Sequence, residues 1–265
     1  MTATTSTMGS REERHVPPMG GFSPTLLRIE LRRLLRNRRA VIFTVVMPVV
    51  FFLIFGVGQK YSNESAGHGN VAAHVMISMA VYGAMIATTS GGAMVSIERS
   101  LGWSRQLRLT PLSPVAYVAT KMVTAMTMGL ASVVATYCVG AFSHAHMDAH
   151  LWLVTGLIAW VGSLVFAAFG LFMGYLLPSD NVMQILGPVL ALLAFGGGLF
   201  IPLDQMGSTF RHIAEFTPMY GVNQLVHAPL TGTSFDVLWL VNLLVWLAIF
   251  VAGAAWRFRK DTARV

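Results

Sequence analysis

Residues 151–177 read LWLVTGLIAWVGSLVFAAFGLFMGYLL, 27 positions without an Asp, Glu, Lys, Arg or His. About 20 apolar residues in helical form cross the roughly 30 Å hydrocarbon core of a bilayer. The run does not alternate as a barrel strand would. Lipid offers no water to a backbone N–H or C=O, so such a run closes its hydrogen bonds within itself, as a helix. Five further runs repeat the pattern: Ala40–Gly58, Val71–Ile97, Val115–Phe142, Val182–Ile201 and Val237–Trp256. The fold class read from them is all-α, a polytopic membrane protein with six transmembrane helices. Composition agrees: of 265 residues, 55% are hydrophobic and 11% charged, with a mean hydropathy of +0.64. A soluble domain carries about 25% charged residues. An ordinary soluble enzyme, a disordered chain and a disulfide scaffold are thereby excluded, and the single Cys138 has no intrachain partner.

The basic residues set the orientation. Eight arginines (Arg11, Arg14, Arg28, Arg32, Arg33, Arg36, Arg38 and Arg39) precede the first span. Arg99, Arg105, Arg108 and Lys121 follow the second, and Arg257, Arg259, Lys260 and Arg264 follow the sixth. Only Lys60 and Arg211 of the eighteen basic residues fall on the other side. The positive-inside rule then predicts a multi-pass protein of the plasma (inner) membrane with both termini cytoplasmic. The net charge of +7 reads as this orientation signal and as contact with the lipid bilayer, not as a nucleic-acid surface.

The chain divides into a disordered cytoplasmic tail, 1–21, a membrane domain, 22–258, and a cytoplasmic tail, 259–265. Ser23-Pro24 is a helix-start signal. Leu27, Leu31, Leu34 and Leu35 then share one helical face while Arg28, Arg32, Arg36 and Arg39 share another, which predicts an N-terminal amphipathic interfacial helix. The apolar outer segment 202–234, broken by Pro218 and Pro229, predicts short re-entrant helices before the last span. The triple glycine Gly196–Gly198 lets the fifth helix end or bend there. Gly170 and Gly174, and Gly83, Ala87, Gly91 and Gly92, form small-residue faces expected to pack helices within the subunit. Lys121 is expected to snorkel to the cytoplasmic interface. His74 and His227 are expected to be interfacial. His144, His146, Asp148 and His150 form a cluster in an outer loop, but no further ligand closes a site. It is read as a solvated loop, with no metal assigned.

The cytoplasmic segment 98–114, Glu-Arg-Ser-Leu-Gly-Trp-Ser-Arg-Gln-Leu-Arg-Leu-Thr-Pro-Leu-Ser-Pro, mixes charge with apolar anchors. A peripheral cytoplasmic protein could grip such a segment. Three stretches carry a family resemblance. They are Arg36-Asn37-Arg38-Arg39 before a span with Pro48 and Phe55-Gly56; Glu98-Arg99, Gly102, Leu107, Thr110-Pro111-Leu112-Ser113 and Lys121; and Gly196–Pro202 followed by Phe216-Thr217-Pro218-Met219-Tyr220. With these the chain resembles the permease subunit of type-2 ATP-binding-cassette (ABC) transporters, a group that includes bacterial drug and antibiotic exporters. Ser100-Leu101-Gly102-Trp103 departs from the charged pair and Gly-Thr step that the family commonly carries there.

The resemblance implies that segment 98–114 couples to an ATPase through Glu98, Arg99, Gly102, Trp103, Arg105 and Leu107. It implies two partners, a cytoplasmic ABC ATPase subunit and a second permease copy (a homodimer or close paralogue). The sequence agrees independently on one point: it contains no Gly-x-x-x-x-Gly-Lys-Ser/Thr phosphate loop. The chain is therefore expected to be a transport subunit and not an enzyme. It would bind no cofactor itself, with ATP and magnesium held by the partner ATPase. Met47, Met85, Met126 and Phe195 are candidate residues of a substrate path suited to a drug, antibiotic or lipid. Two alternatives stand beside this reading: an ion-coupled secondary transporter, which the lack of ionisable groups at mid-span opposes, and an ABC permease for polysaccharide.

Overall fold

The computed structural model describes residues 23–102 and 113–262. Among these residues the chain is helical throughout, with two isolated bridges, Ser65 to Asn70 and Gly69 to Met147, as its sole β pairings. We number the helices α1 (Pro24–Arg36), α2 (38–57), α3 (Val71–Ser100), α4 (Pro114–Ala141), α5 (Ala149–Gly162), α6 (Leu164–Leu176), α7 (Ser179–Gly196), α8 (Ser208–Glu215), α9 (Pro218–Thr231) and α10 (Val237–Thr262).

Four helical stretches are long and apolar enough to cross a membrane: Val71–Ser100, Val115–Ala141, Ala149–Leu176 and Val237–Lys260. The first and fifth expected spans are represented by shorter apolar helices, Ile42–Val57 and Asn181–Gly196. In α7 the glycines explain the early end. α2 alternates α-helical and π-helical turns around Pro48. α7 carries Pro188 inside and stops at Gly196, five residues short of the expected end at Ile201. The triple glycine there turns the chain instead of extending the helix.

At two of these irregular places a hydroxyl from a neighbouring helix donates to a backbone carbonyl. Pro48 has no N–H to give to the carbonyl of Thr44, one turn earlier. Ser132 Oγ, on α4, donates to that carbonyl at 2.6 Å. Where α5 meets α6, the Ser163 carbonyl already accepts the Phe166 and Ala167 amides, and α3 adds to it: Thr88 Oγ1 donates to Ser163 O at 3.2 Å and Thr89 Oγ1 to Phe166 O at 3.2 Å. Neighbouring hydroxyls are how lipid-embedded helices tolerate such breaks.

α3 is the hub of the bundle. It packs against α4 on one side and α6 on the other, with α2 and α7 also against it, while α10 lies outside on α6 and α9. The small residues make the close approach possible. A Cβ at Gly170 would run into the backbone of Thr89, and one at Gly92 into the backbone of Ala167–Leu171. The glycine faces expected from the sequence thus pack against each other within the subunit.

At the opposite end from α1, Asn70 organises the loops. Its Oδ1 accepts from Ala73 N and His146 N, both at 3.0 Å, capping α3 and fixing the loop before α5. Two short helices, α8 and α9, lie in the segment before α10. Asn242 of α10 pins their corner, donating to Glu215 O at 2.8 Å and accepting from Gly221 N at 3.3 Å. Trp246 Nε1 donates to Phe216 O at 3.1 Å.

The histidines differ from expectation. His227 is buried, its ring centroid 4.1 Å from that of His74. Its Nδ1 donates to Asn223 O at 3.0 Å, and Ser78 Oγ lies 3.1 Å from its Nε2. The pair joins α9 to α3, with His227 buried and His74 half-buried.

Candidate functional site at the mouth of segment 98–114

Segment 98–114 leaves the bundle at the end of α3 and returns at the start of α4. Two residues in the last turn of α3, Glu98 and Arg99, point to different neighbours. Glu98 is only 3% exposed. Its Oε1 lies 2.5 Å from Lys121 Nζ and 3.1 Å from Arg33 Nη1. Its Oε2 accepts from Tyr117 Oη at 2.5 Å. Lys121, 4% exposed, also lies 2.9 Å from Oε2 of Glu30, which is 8% exposed. Lys121 Nζ sits 5.5 Å from the centre of the Tyr117 ring.

Helical spacing assembles these groups. Glu30 and Arg33 are one turn apart on α1, and Tyr117 and Lys121 one turn apart on α4, so each helix presents a polar pair on a single face. Two carboxylates meet two cations, and the network is neutral. A buried carboxylate without a partner is strongly destabilising, so the mutual pairing is a condition of burial. Lys121 accordingly does not snorkel as the sequence reading expects. The carboxylates of α1 and α3 reach it two turns inside α4, and pairing there replaces the pull toward water.

Arg99 turns the other way. Its Nη1 donates to Gly174 O at 3.3 Å and Tyr175 O at 2.9 Å, and its guanidinium lies 5.5 Å from the centre of the Tyr175 ring. These are terminal carbonyls of α6, where a cation also complements the helix dipole. Ser96 Oγ donates to Leu177 O at 2.9 Å beside it. One turn of α3 is thereby tied to α1 and α4 through Glu98, and to α6 through Arg99. Gly102, at φ +71°, ends the helix in a left-handed turn that L side chains rarely adopt.

Of the six coupling residues expected from the sequence, Glu98, Arg99 and Gly102 stand at this junction. Trp103, Arg105 and Leu107 lie outside the described residues. Glu30, Arg33, Tyr117 and Lys121 complete the junction and were not among the expected site residues. The i, i+3 and i, i+4 polar pairs on otherwise apolar helices were the available signal. The candidate path residues are dispersed in environment. Met85 is fully buried in the core, Met47 and Met126 are half-buried, and Phe195 is exposed, with its ring centroid 4.8 Å from that of Phe200. Met126 is engaged in packing: its carbonyl accepts from Trp160 Nε1 at 2.9 Å. Among the described residues no group of three or more His, Cys, Asp or Glu could hold a metal ion. In the loop cluster around His144, His146, Asp148 and His150, His68 Nδ1 approaches Asp148 Oδ2 at 3.7 Å.

Fold and junction together define a class: a polytopic helical membrane protein whose buried charges gather at the end of α3 and the start of α4, on either side of segment 103–112. Residues 24–230 match the family model of the ABC-2 type transporter, and the chain belongs to that family. It is 27% identical over 239 residues to "Putative transport permease YvfS" of Bacillus subtilis (strain 168), a match covering 88% of this chain and 96% of that one. The protein is a transmembrane subunit of an ABC transporter, from a family whose members typically pair with an ATPase subunit.

Proposed function

We propose that the chain is the six-span permease of an ATP-driven exporter. It moves a hydrophobic or amphipathic substrate (a drug, antibiotic or lipid) across the plasma membrane. α2 and α7 serve as the two spans that fall short by length, and α8 and α9 dip into the outer leaflet. A separate cytoplasmic ATPase binds segment 98–114, and a second permease copy completes the path.

The observation that carries this reading is the junction at Glu98 and Arg99. Both flanks of segment 98–114 are fastened to the rest of the bundle by charged contacts, of which those of Lys121 with Glu98 and Glu30 are short and buried. A push on the segment therefore displaces the end of α3 and the start of α4 together. The Lys121–Glu30 and Arg33–Glu98 pairs draw α1 along, and Arg99 passes the displacement to α6. The ionisable groups of this network neutralise one another at the inner end of the bundle, which suits transmission better than ion coupling. Export as the direction follows from the resemblance to drug and antibiotic exporters.

The test is reconstitution. The tagged chain, purified from its native membranes, brings with it an ATPase bearing a phosphate loop. Liposomes holding the complex concentrate a lipophilic fluorescent dye only when ATP is supplied on the side of segment 98–114. Uphill dye movement by the chain alone, driven by a proton gradient, would refute the proposal.

A further inference from the structure

The outward side of α1 has no role in the junction. On the protein side, Glu30 is buried and Leu27, Leu31 and Leu34 are half-buried, with α4 as the neighbouring long helix. The leucine face predicted to lie in the membrane interface is thus partly consumed by protein. On the opposite arc, Arg28, Arg32 and Arg36 follow one another at four-residue spacing, all exposed. No carboxylate among the described residues pairs with any of the three; the acidic residue of α1, Glu30, is taken by Lys121. Ile29 and Leu35, 59% and 60% exposed, flank the arginine row on either side.

We infer that this arc is a binding site for the headgroups of anionic phospholipids in the inner leaflet. The inference rests on the membrane-spanning reading alone and is independent of any ATPase or cargo. Covalent geometry places the arc at the bilayer surface. Asn37 is the one residue between α1 and α2, and the apolar stretch Ile42–Val57 begins six residues after Arg36. Six helical residues rise about 9 Å, so Arg36 cannot stand far from the headgroup layer, and Arg32 and Arg28 follow it along the helix. Three guanidiniums in a row match phosphodiester anions by bidentate hydrogen bonding. Exposed Ile29 and Leu35 would be costly against water or a phosphate ion but fit beside acyl chains. A purely electrostatic protein-docking surface would not need them.

The site is also connected. Arg33, next to the row, reaches Glu98. Headgroups gathered by Arg28, Arg32 and Arg36 would hold α1 against the bilayer while the junction moves with segment 98–114. Anionic lipid then acts as the fixed point for that motion.

The experiment uses the purified full chain in neutral detergent, with dipalmitoyl phosphatidylglycerol or phosphatidylcholine titrated in and bound lipids counted by native mass spectrometry. The wild type is expected to retain phosphatidylglycerol over phosphatidylcholine, with a preference that fades as salt rises. The triple variant Arg28→Gln, Arg32→Gln, Arg36→Gln is expected to lose affinity on the order of a hundredfold at low salt. Ile29→Ser with Leu35→Ser weakens retention without changing charge, and Lys60→Gln, on the outer loop, leaves the preference intact. Circular dichroism and size exclusion confirm that each variant is folded. Equal retention of the two lipids by the wild type would overturn the inference. So would an undiminished preference in the triple variant, or displacement of the lipid by millimolar inorganic phosphate. Loss of an ATPase partner from the triple variant, with its lipid preference unchanged, would assign the arc to protein docking and overturn the inference as well.

Discussion

Replacing Lys121 by Met tests the junction most directly. The substitution keeps the length of the stem and removes one charge from a network of two carboxylates and two cations. Glu98 would keep Arg33 at 3.1 Å and the Tyr117 hydroxyl. Glu30 would lose its 2.9 Å ion pair while staying buried. Removing one partner of a buried pair costs about 3–5 kcal/mol, because the remaining charge is left uncompensated. For a chain of this size, 1 kcal/mol shifts the unfolding midpoint by about 2–4 °C, so Lys121→Met should fall by roughly 6–20 °C in detergent. The double variant Lys121→Met with Glu30→Gln restores neutrality, and the Arg33–Glu98 pair survives in it. It should therefore unfold at a higher temperature than the single variant, with a coupling of about 1–3 kcal/mol. The assay is thermal unfolding of the purified variants followed by size exclusion. A Lys121→Met midpoint within 2 °C of wild type would refute the reasoning, as would a double variant no more stable than the single one.

Three further outcomes are expected. Arg99→Gln, which detaches α3 from the terminal carbonyls of α6, should lower dye transport per ATP hydrolysed at least severalfold at unchanged expression; an unchanged ratio in the reconstituted complex counts against the role given to this residue. Ser132→Ala should cost about 1 kcal/mol by removing the hydroxyl that donates to the Thr44 carbonyl. The loss is read in the same unfolding assay, and an unchanged midpoint would contradict it. Asn242→Leu should leave the bundle folded but speed hydrogen exchange across α8 and α9 about tenfold, measured by mass spectrometry, since it frees the corner at Glu215 and Gly221.

Much of the architecture was legible because lipid enforces a simple rule on backbone polar groups. A run such as 151–177 has one way to satisfy itself, and α5 and α6 follow. Gly92 and Gly170 were legible as packing residues because little else explains glycine inside such a run. Helix length was less legible. Gly196–Gly198 end α7 early, and hydropathy does not register the loss. The junction was half visible: Glu98 and Arg99 stood out at the edge of a soluble segment, whereas Lys121 read as a snorkelling side chain. Its partners come from 23 and 91 positions earlier in the chain, and no local pattern announces them. His227 was misplaced for the same reason, since Ser78 lies 149 positions away.

The hydroxyl of Ser132 that serves the carbonyl of Thr44 has a consequence for biogenesis. Ser132 follows Thr44 by 88 positions, so this bond closes only after α4 has been synthesised. α2 therefore enters the bilayer without it, and the arrival of α4 adds a polar clasp that ties the first hydrophobic segment to a later one.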